Sequence, residues 1–201
     1  AAITEKTNFY VATGATFAEV LDSLKAKDII EDTAKFENYA TFRNLKQETL
    51  EAGKYIFPKN VAYSKVVEDL RQGNGEKETQ VTFNNARTKK EVAEKIALTV
   101  ELSAEDILQL ITDEKFTSKY GFTPTTINTM FIPDTYNVYW DIAAEDLIAK
   151  LAKEYKRFWT PERKAKAKKL GLSQAEVSTL ASIVVCETIK MDEAPKIAGV
   201  Y

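Results

Sequence analysis

The sequence of 201 residues contains no histidine and a single cysteine, Cys186. Without histidine the chain cannot form a Ser-His-Asp triad, a Cys-His dyad or the common zinc sites with imidazole ligands. One cysteine permits no disulfide within the chain, and it fits a reducing or an oxidising compartment equally well. The absence of histidine therefore excludes hydrolases with a Ser-His-Asp triad or a Cys-His dyad, and enzymes whose zinc ion is bound by histidine.

Long apolar runs are absent as well. No stretch of about 18 apolar residues occurs, so no segment is predicted to span a membrane. The opening residues, AAITEKTNFY, contain no apolar region of a signal peptide, and the apolar residues 198–201 carry no stop signal, so we expect a piece of a longer protein. The formal net charge of −2 gives no overall basic field, and nucleic acid is therefore not an expected partner.

Three segments of the first half share one spacing of apolar residues. Each has a short strand-like run, a turn, and then two apolar residues that are four apart, as on one face of a helix. The last strand residue and the first helix residue are nine apart in each segment: Val11 and Val20, Phe57 and Val66, Phe83 and Val92. The repeated spacing predicts three strand-turn-helix units.

Several predicted helices begin at a serine or threonine that is followed three residues later by an acidic residue, a pattern typical of N-caps. It predicts complete capping boxes at Thr16, Thr88 and Ser173 and an N-cap at Ser103. Thr160-Pro161 predicts a further start, because proline fits the first helical turn. Apolar spacing predicts a helix over residues 143–158, whereas residues 116–129 are predicted to form a loop and residues 130–140 an extended aromatic segment.

The helix predicted to begin after Ser173 and to run to about Ile189 carries the most informative residue, Glu187. Its predicted apolar stripe consists of Val177, Leu180, Ala181 and Val184. Glu187 is three residues beyond Val184, on the same side of the helix. Burial there would disfavour the charged carboxylate and raise its pKa, as a general acid requires near neutral pH. The alternative is a structural carboxylate at the edge of the stripe, paired with Lys190 or Lys196.

Three other features are open to two interpretations each. The pair Asp134-Thr135, in the aromatic segment MFIPDTY, could line a sugar groove or form a capped turn in a core-facing strand. The basic run of Arg163, Lys164, Lys166, Lys168 and Lys169 fits contact with anionic lipid or glycan carboxylates, or a solvated helix face. Cys186 has no histidine to activate it, and we expect a small buried hydrophobe rather than a nucleophile.

The segment Leu180–Thr188, LASIVVCET, resembles the motif L-A-S-I-[VI]-E-K-E-T of MltG/YceG-like endolytic murein transglycosylases. Further segments resemble that family in the same order: LEAGKY at 50–55, FIPDTY at 131–136 and APKIAGVY at 194–201. Residues 9–31 and 55–75 resemble its LysM-like region. The likeness therefore extends over most of the chain.

The chain departs from the family pattern at several positions. Val185 and Cys186 stand where the motif has glutamate and lysine, and Asn85-Ala86 replaces a Glu-Gly segment before the third helix. An Asn-Arg-Leu segment that follows in the family is not among these residues. The second motif glutamate, which is catalytic in the family, is kept as Glu187.

The resemblance implies an α+β protein with two parts. Residues 1–79 would form a small LysM-like β-α domain. Residues 80–201 would form a mostly helical, incomplete catalytic domain that opens with the third strand-turn-helix unit. Among the motif residues, Asp134, Tyr136, Ser182 and Thr188 are the candidates to contact substrate.

The implied activity is that of a lytic transglycosylase, which cleaves the bond between N-acetylmuramic acid and N-acetylglucosamine without water. Glu187 would protonate the leaving oxygen and then accept the proton of the muramic acid C6 hydroxyl, which closes an anhydro ring. One carboxyl acts twice, so the paired carboxylates of ordinary glycosidases are not required. The resemblance implies no metal and no cofactor.

The family also implies a location and partners. We expect a single-pass protein of the cytoplasmic membrane, with this region on the extracytoplasmic (periplasmic) side and the anchor outside these 201 residues. Peptidoglycan glycan strands are the expected substrate, and cell-wall synthesis proteins are candidate partners.

Two alternatives to the transglycosylase stay open. The strand-turn-helix units could bind glycan without cleaving it, which would make the chain a non-catalytic peptidoglycan-binding module. Family members have also been labelled aminodeoxychorismate lyases, which use pyridoxal phosphate. The sequence shows no glycine-rich phosphate loop at a helix start to favour that chemistry.

Overall fold

The computed structural model describes residues 6–45, 50–84, 87–188 and 190–201. The fold is α+β, as predicted, with helices and two small antiparallel sheets. The strands are β1 Lys6–Val11, β2 Gly53–Pro58, β3 Glu78–Phe83 and β4 Asp134–Tyr139. The α-helices are α1 Phe17–Ala26, α2 Thr33–Phe42, α3 Tyr63–Gln72, α4 Lys89–Ala97, α5 Ala104–Thr112, α6 Glu114–Ser118, α7 Ala144–Phe158, α8 Pro161–Lys169, α9 Gln174–Glu187 and α10 Ala194–Ala198. Two 3₁₀ turns span Ile127–Met130 and Met191–Glu193.

The described chain divides into two compact units. The first contains the residues up to Val81 together with 99–101 and 137–142, and the second contains 82–98, 102–136 and 143–201. Each of the strands β3 and β4 contributes residues to both units. The proposed limits of a LysM-like domain at 1–79 and a catalytic domain at 80–201 stay a prediction.

In the first unit, β1 and β2 pair antiparallel with Phe9 opposite Tyr55. Because strand side chains alternate between faces, every second residue points inward. The inward residues Phe9, Val11, Tyr55 and Phe57 are all buried, and they join apolar side chains of α1, α2 and α3 in one core. The largest of these helix side chains are Leu24, Phe36 and Leu70, each fully buried.

The three strand-turn-helix units, which were predicted from the spacing of nine residues between apolar positions, are confirmed. Each strand, β1, β2 and β3, is followed by a helix, α1, α3 and α4 respectively. The spaced apolar residues are buried in all three units: Val11, Val20 and Leu24; Phe57, Val66 and Leu70; Phe83, Val92 and Ile96. The turn residue Asn85 of the third unit and the neighbouring Ala86 lie outside the described residues.

The predicted N-caps are confirmed, with one correction to a capping box. At Thr16 both halves of the capping box are present. At Thr88 the hydroxyl accepts the N–H of Glu91, but the Glu91 carboxylate accepts the N–H of Arg87 rather than that of Thr88. The full box predicted at Thr88 is therefore wrong, because the glutamate reaches one residue further back.

One local prediction in the middle of the chain needs correction. The predicted loop over residues 116–129 contains part of α6 and most of a 3₁₀ turn. Asp113 ends α5 and also caps α6, where its carboxylate accepts the N–H of Phe116 at 2.8 Å. A helix of one turn is too short to show an apolar period, so the sequence pattern did not reveal it.

The second unit is mostly helical. Helix α7 ends at Phe158 as predicted and begins at Ala144, one residue after the predicted start. Its buried stripe includes Leu147, Ile148, Leu151 and Tyr155. Helix α9 contacts α8, α10 and the 3₁₀ turn Ile127–Met130. None of the helices within the described ranges combines the length and the apolar character needed to cross a bilayer.

Candidate functional site

Helix α9 carries the candidate catalytic residue, and its start is fixed by a complete capping box. The Ser173 hydroxyl accepts the N–H of Glu176 at 3.2 Å, and the Glu176 carboxylate accepts the N–H of Ser173 at 2.8 Å. The N–H of Ser173 and then its side chain lower the pKa of Glu176 below 4.5. The stabilisation that Glu176 provides is therefore present above pH 4.5 and lost as the pH falls through its lowered pKa.

Replacing the cap should destabilise the helix that holds Glu187. We expect Ser173→Ala to lower the free energy of unfolding by about 1 kcal/mol, because the N–H of Glu176 loses its acceptor. Ser173→Gly should cost only a few tenths of a kcal/mol, since glycine is itself a good N-cap. Urea unfolding followed by circular dichroism measures both values, and equal losses would contradict a role for the hydroxyl.

Glu187 is the last residue of α9, and its side chain is exposed. The prediction that it lies on a buried stripe is wrong for the described structure. Only Val184 of that stripe is buried, Val177 and Leu180 are half-buried, and Ala181 is exposed. The stripe loses its cover towards the end of the helix, and the carboxylate therefore meets solvent.

The alternative role for Glu187, a structural ion pair, is not observed either. Within the described residues, neither Lys190 nor Lys196 forms an ion pair with Glu187. Thr188 ends the helix with an extended backbone, and its hydroxyl donates to the carbonyl of Val184. The carboxylate thus stands at an abrupt helix end without a salt-bridge partner among these residues, accessible to a ligand.

The other motif residues of α9 do not converge on Glu187. The exposed Ser182 donates its hydroxyl to the carbonyl of Thr179 at 2.6 Å and lies about 140° round the helix from Glu187. Val185 is 61% exposed, and Cys186 is exposed too. The expectation that Cys186 is a buried hydrophobe is therefore wrong. Substrate contacts by Ser182 and Thr188 stay predictions.

The segment FIPDTY places its two candidate residues in different surroundings. Asp134 is exposed at the start of β4, and its carboxylate accepts the N–H of Thr135 at 2.7 Å. Tyr136 is buried and donates its hydroxyl to the carbonyl of Ile132 at 2.8 Å. Its ring centroid lies 5.8 Å from that of Phe83. Tyr136 thus occupies the hydrophobic core, and only Asp134 is open to a ligand.

The pKa of Tyr136 offers a direct check of this placement. Burial first, and then the carboxylates of Asp134 and Glu154, raise its pKa from 10.0 to about 12, against the opposing charge of Arg157. The stabilisation from neutral Tyr136 is therefore intact below pH 10 and lost as the pH rises through about 12.

In an ultraviolet titration of phenolate formation, Tyr136→Phe should remove one tyrosine from the late-ionising group and leave the early phase unchanged. Tyr55, whose burial likewise raises its pKa to about 12, remains as the internal reference. Circular dichroism at each pH confirms that the chain is still folded. A loss from the early phase instead would place Tyr136 at the surface.

A second candidate site, which the sequence pattern did not predict, lies in the first unit. The loop between β1 and α1 borders a cavity of about 410 Å³, lined among others by Tyr10, Thr13, Glu19 and Ser23. Gly14 turns this loop with a φ of 74°, a conformation that glycine adopts without strain. The lining combines an aromatic ring with hydroxyl and carboxylate groups, a composition that suits a polar ligand with apolar faces.

Residues from distant parts of the sequence hold this cavity in shape. The N–H and hydroxyl of Thr13 both donate to the Glu101 carboxylate, at 2.6 and 2.7 Å. The Tyr10 ring stacks on Trp140 with centroids 5.8 Å apart. The N–H of Glu101 donates to the carbonyl of Trp140 at 2.8 Å. One signal in the sequence could have indicated this site. In a strand whose residues alternate between faces, Tyr10 lies between the inward-facing Phe9 and Val11, so its ring is expected to face outward.

A larger groove of about 540 Å³ lies between α8 and the start of α9, with Lys164, Lys168 and Ser173 among its lining residues. At 1.5 Å per residue, the start of α9 is about 20 Å from Glu187. This groove is therefore separate from the candidate catalytic residue.

The strand-turn-helix units and the mostly helical unit agree with the α+β fold that the family resemblance implies. The model of the YceG-like family matches residues 9–201, and the chain belongs to this family. The chain is also similar to the crystal structure of a YceG-like protein from Listeria monocytogenes, with 20% identity and a TM-score of 0.54. The match covers 94% of this chain and 67% of that one, and it shows a shared fold. No curated protein matches the chain.

Proposed function

We propose that this YceG-like protein is a lytic transglycosylase of peptidoglycan and that Glu187 is its acid and base. The observation that carries the proposal is the exposed carboxylate at the family motif's catalytic position, at the end of a firmly capped helix. An exposed group can meet a polymer as large as a glycan strand. Bound glycan would cover the half-exposed Ile183 one turn before Glu187 and exclude water, which favours the neutral, proton-donating carboxyl.

In the proposed reaction, Glu187 donates its proton to the glycosidic oxygen as the bond from C1 of N-acetylmuramic acid breaks. The resulting carboxylate accepts the proton of the C6 hydroxyl, and O6 bonds to C1. The products are a free N-acetylglucosamine 4-hydroxyl and a 1,6-anhydro-muramic end. Water is not consumed, and the carboxyl returns to its starting state, so one residue serves as both acid and base.

We place this reaction at the extracytoplasmic face of the cytoplasmic membrane, where nascent glycan strands are terminated or trimmed. An anchor outside these residues would hold the protein there, beside the cell-wall synthesis proteins. The family resemblance and the proposed substrate support this location.

The products made in ¹⁸O-labelled water test the reaction type. Purified peptidoglycan is incubated with the 201-residue chain and, in parallel, with the full gene product, and the new ends are identified by mass spectrometry. Unlabelled anhydro-muramic ends support the transglycosylase. Reducing ends that carry ¹⁸O would show hydrolysis and overturn it.

The cavity beside Tyr10 favours a second candidate function, a peptidoglycan-binding module. Tyr10 is 42% exposed, and its ring is held by Trp140 and by the Lys27 ammonium 5.9 Å from its centroid, so the exposed part of the ring can pack against a sugar at little cost in side-chain freedom. Hydroxyls of Thr13 and Ser23 line the same cavity and can bind sugar hydroxyls. Binding by the first unit is compatible with cleavage by the second.

We expect Tyr10→Ala to weaken retention on purified peptidoglycan about tenfold, or about 1.4 kcal/mol, because the sugar loses its stacking partner. Tyr139→Ala is the matched control, since Tyr139 is 57% exposed in the same unit but does not line the cavity. Sedimentation with insoluble peptidoglycan measures both. Equal retention of Tyr10→Ala and the parent would exclude the cavity as a glycan site.

A further inference from the structure

One stretch of the chain is strongly basic. Residues 150–169 contain nine lysines and arginines against two glutamates, a net charge of +7, although the whole chain carries −2. The stretch covers the second half of α7 and all of α8. The rest of the chain therefore carries a net negative charge, opposite in sign to that of residues 150–169.

The structure places these cations on the solvent side of both helices. On α7, Lys150, Lys153 and Arg157 lie opposite the buried stripe, as their spacing of three and four residues requires. On α8 only Ala167 is buried. The basic side chains of both helices are therefore exposed, and those of α8 project all round the helix except on the side of Ala167.

Few of these charges are neutralised locally. Glu154 pairs with Arg157 at 3.0 Å, and Glu162 pairs with Lys166 at 2.8 Å. In the part of the chain that the structure describes, Lys164, Lys168 and Lys169 have no such ion pair. These three lysines are therefore available to bind an external anion.

Exposed apolar residues stand at both ends of α8. Phe158, the last residue of α7, is 37% exposed, and Leu170, the residue after α8, is 72% exposed. The Arg163 guanidinium lies 4.0 Å from the centroid of the Phe158 ring and donates to the Phe158 carbonyl, which ties the start of α8 to the end of α7. Charge and exposed apolar surface thus occur together on a short segment.

We propose that α8 is a membrane-contact surface for anionic phospholipids, formed by Lys164, Lys168 and Lys169 with Phe158 and Leu170. The lysines bind lipid phosphates, and the two apolar side chains enter the boundary between headgroups and acyl chains. A soluble polyanion would use the charges alone and leave Phe158 and Leu170 in water. The combination therefore favours a bilayer over a soluble polymer.

Co-sedimentation with lipid vesicles tests this surface independently of catalysis. The parent chain should bind vesicles that contain phosphatidylglycerol and should not bind vesicles of phosphatidylcholine alone. Lys164→Gln/Lys168→Gln/Lys169→Gln should lower the partition coefficient about a hundredfold, because each lysine near an anionic surface contributes about fivefold. Lys35→Gln/Lys90→Gln/Lys115→Gln removes the same charge elsewhere and should lower it far less.

The Leu170→Ala variant separates a bilayer from a soluble polyanion. It keeps every charge, and it should weaken binding to phosphatidylglycerol vesicles several-fold while leaving binding to inorganic polyphosphate unchanged. Equal binding of the parent to both kinds of vesicle would overturn the proposal. So would equal effects of the two lysine triples, or a Leu170→Ala variant that binds the anionic vesicles as well as the parent does.

Discussion

We expect Glu187→Gln to reduce the formation of anhydro-muramic ends by about 10²–10⁴-fold, the usual contribution of a general acid and base. Glutamine has nearly the same shape as glutamate but can neither donate the proton to the leaving oxygen nor accept one from the C6 hydroxyl. Because Glu187 is exposed at the end of α9, the substitution should leave the free energy of unfolding almost unchanged. Product analysis and urea unfolding of the same preparation separate activity from stability.

Glu193→Gln is the matched control for this prediction. Glu193 is also exposed, six residues further along the chain, and lies outside the family motif. It should retain the activity of the parent. Equal losses in the two variants would point to a general effect of charge, and full activity of Glu187→Gln would remove the transglycosylase mechanism as proposed. Glycan retention without products from any variant would favour the binding module.

The largest effect on stability is expected from Phe57→Ala. Phe57 is 1% exposed in the core of the first unit, with its ring centroid 6.0 Å from that of Phe9 and 6.1 Å from that of Tyr55. Truncation leaves a cavity that its neighbours cannot fill, and the expected loss in the free energy of unfolding is about 3–5 kcal/mol. Urea unfolding followed by circular dichroism measures the loss.

Ile56→Ala serves as the control because it changes the adjacent residue of the same strand. Ile56 faces the opposite side, pairs with Asn8 on β1 and is 38% exposed. Its truncation should cost roughly 1 kcal/mol or less, since much of its surface is already in water. Equal losses for the two variants would contradict the assignment of the inward and outward faces of β2.

The sequence predicted those parts of the fold that depend on residues close together in the chain. The spacing from Val11 to Val20 and its two repeats gave strand, turn and helix, because the periods of two and 3.6 are properties of the backbone itself. The N-caps at Thr16 and Ser173 also follow from local geometry, since each hydroxyl meets an N–H only three residues away. The family motif likewise predicts Glu187 as the catalytic residue from nine consecutive residues.

The surroundings of these residues were decided by tertiary structure. A helical period says which side of α9 carries Glu187, but it does not say whether another element covers that side, and in the described structure the end of α9 is open. Tyr136 and Asp134 are two residues apart in one motif, yet one lies in the core and the other at the surface. The Tyr10 cavity depends on Glu101 and Trp140, which lie about 90 and 130 residues further along the chain. No local period connects residues so distant in sequence, and only folding brings them together.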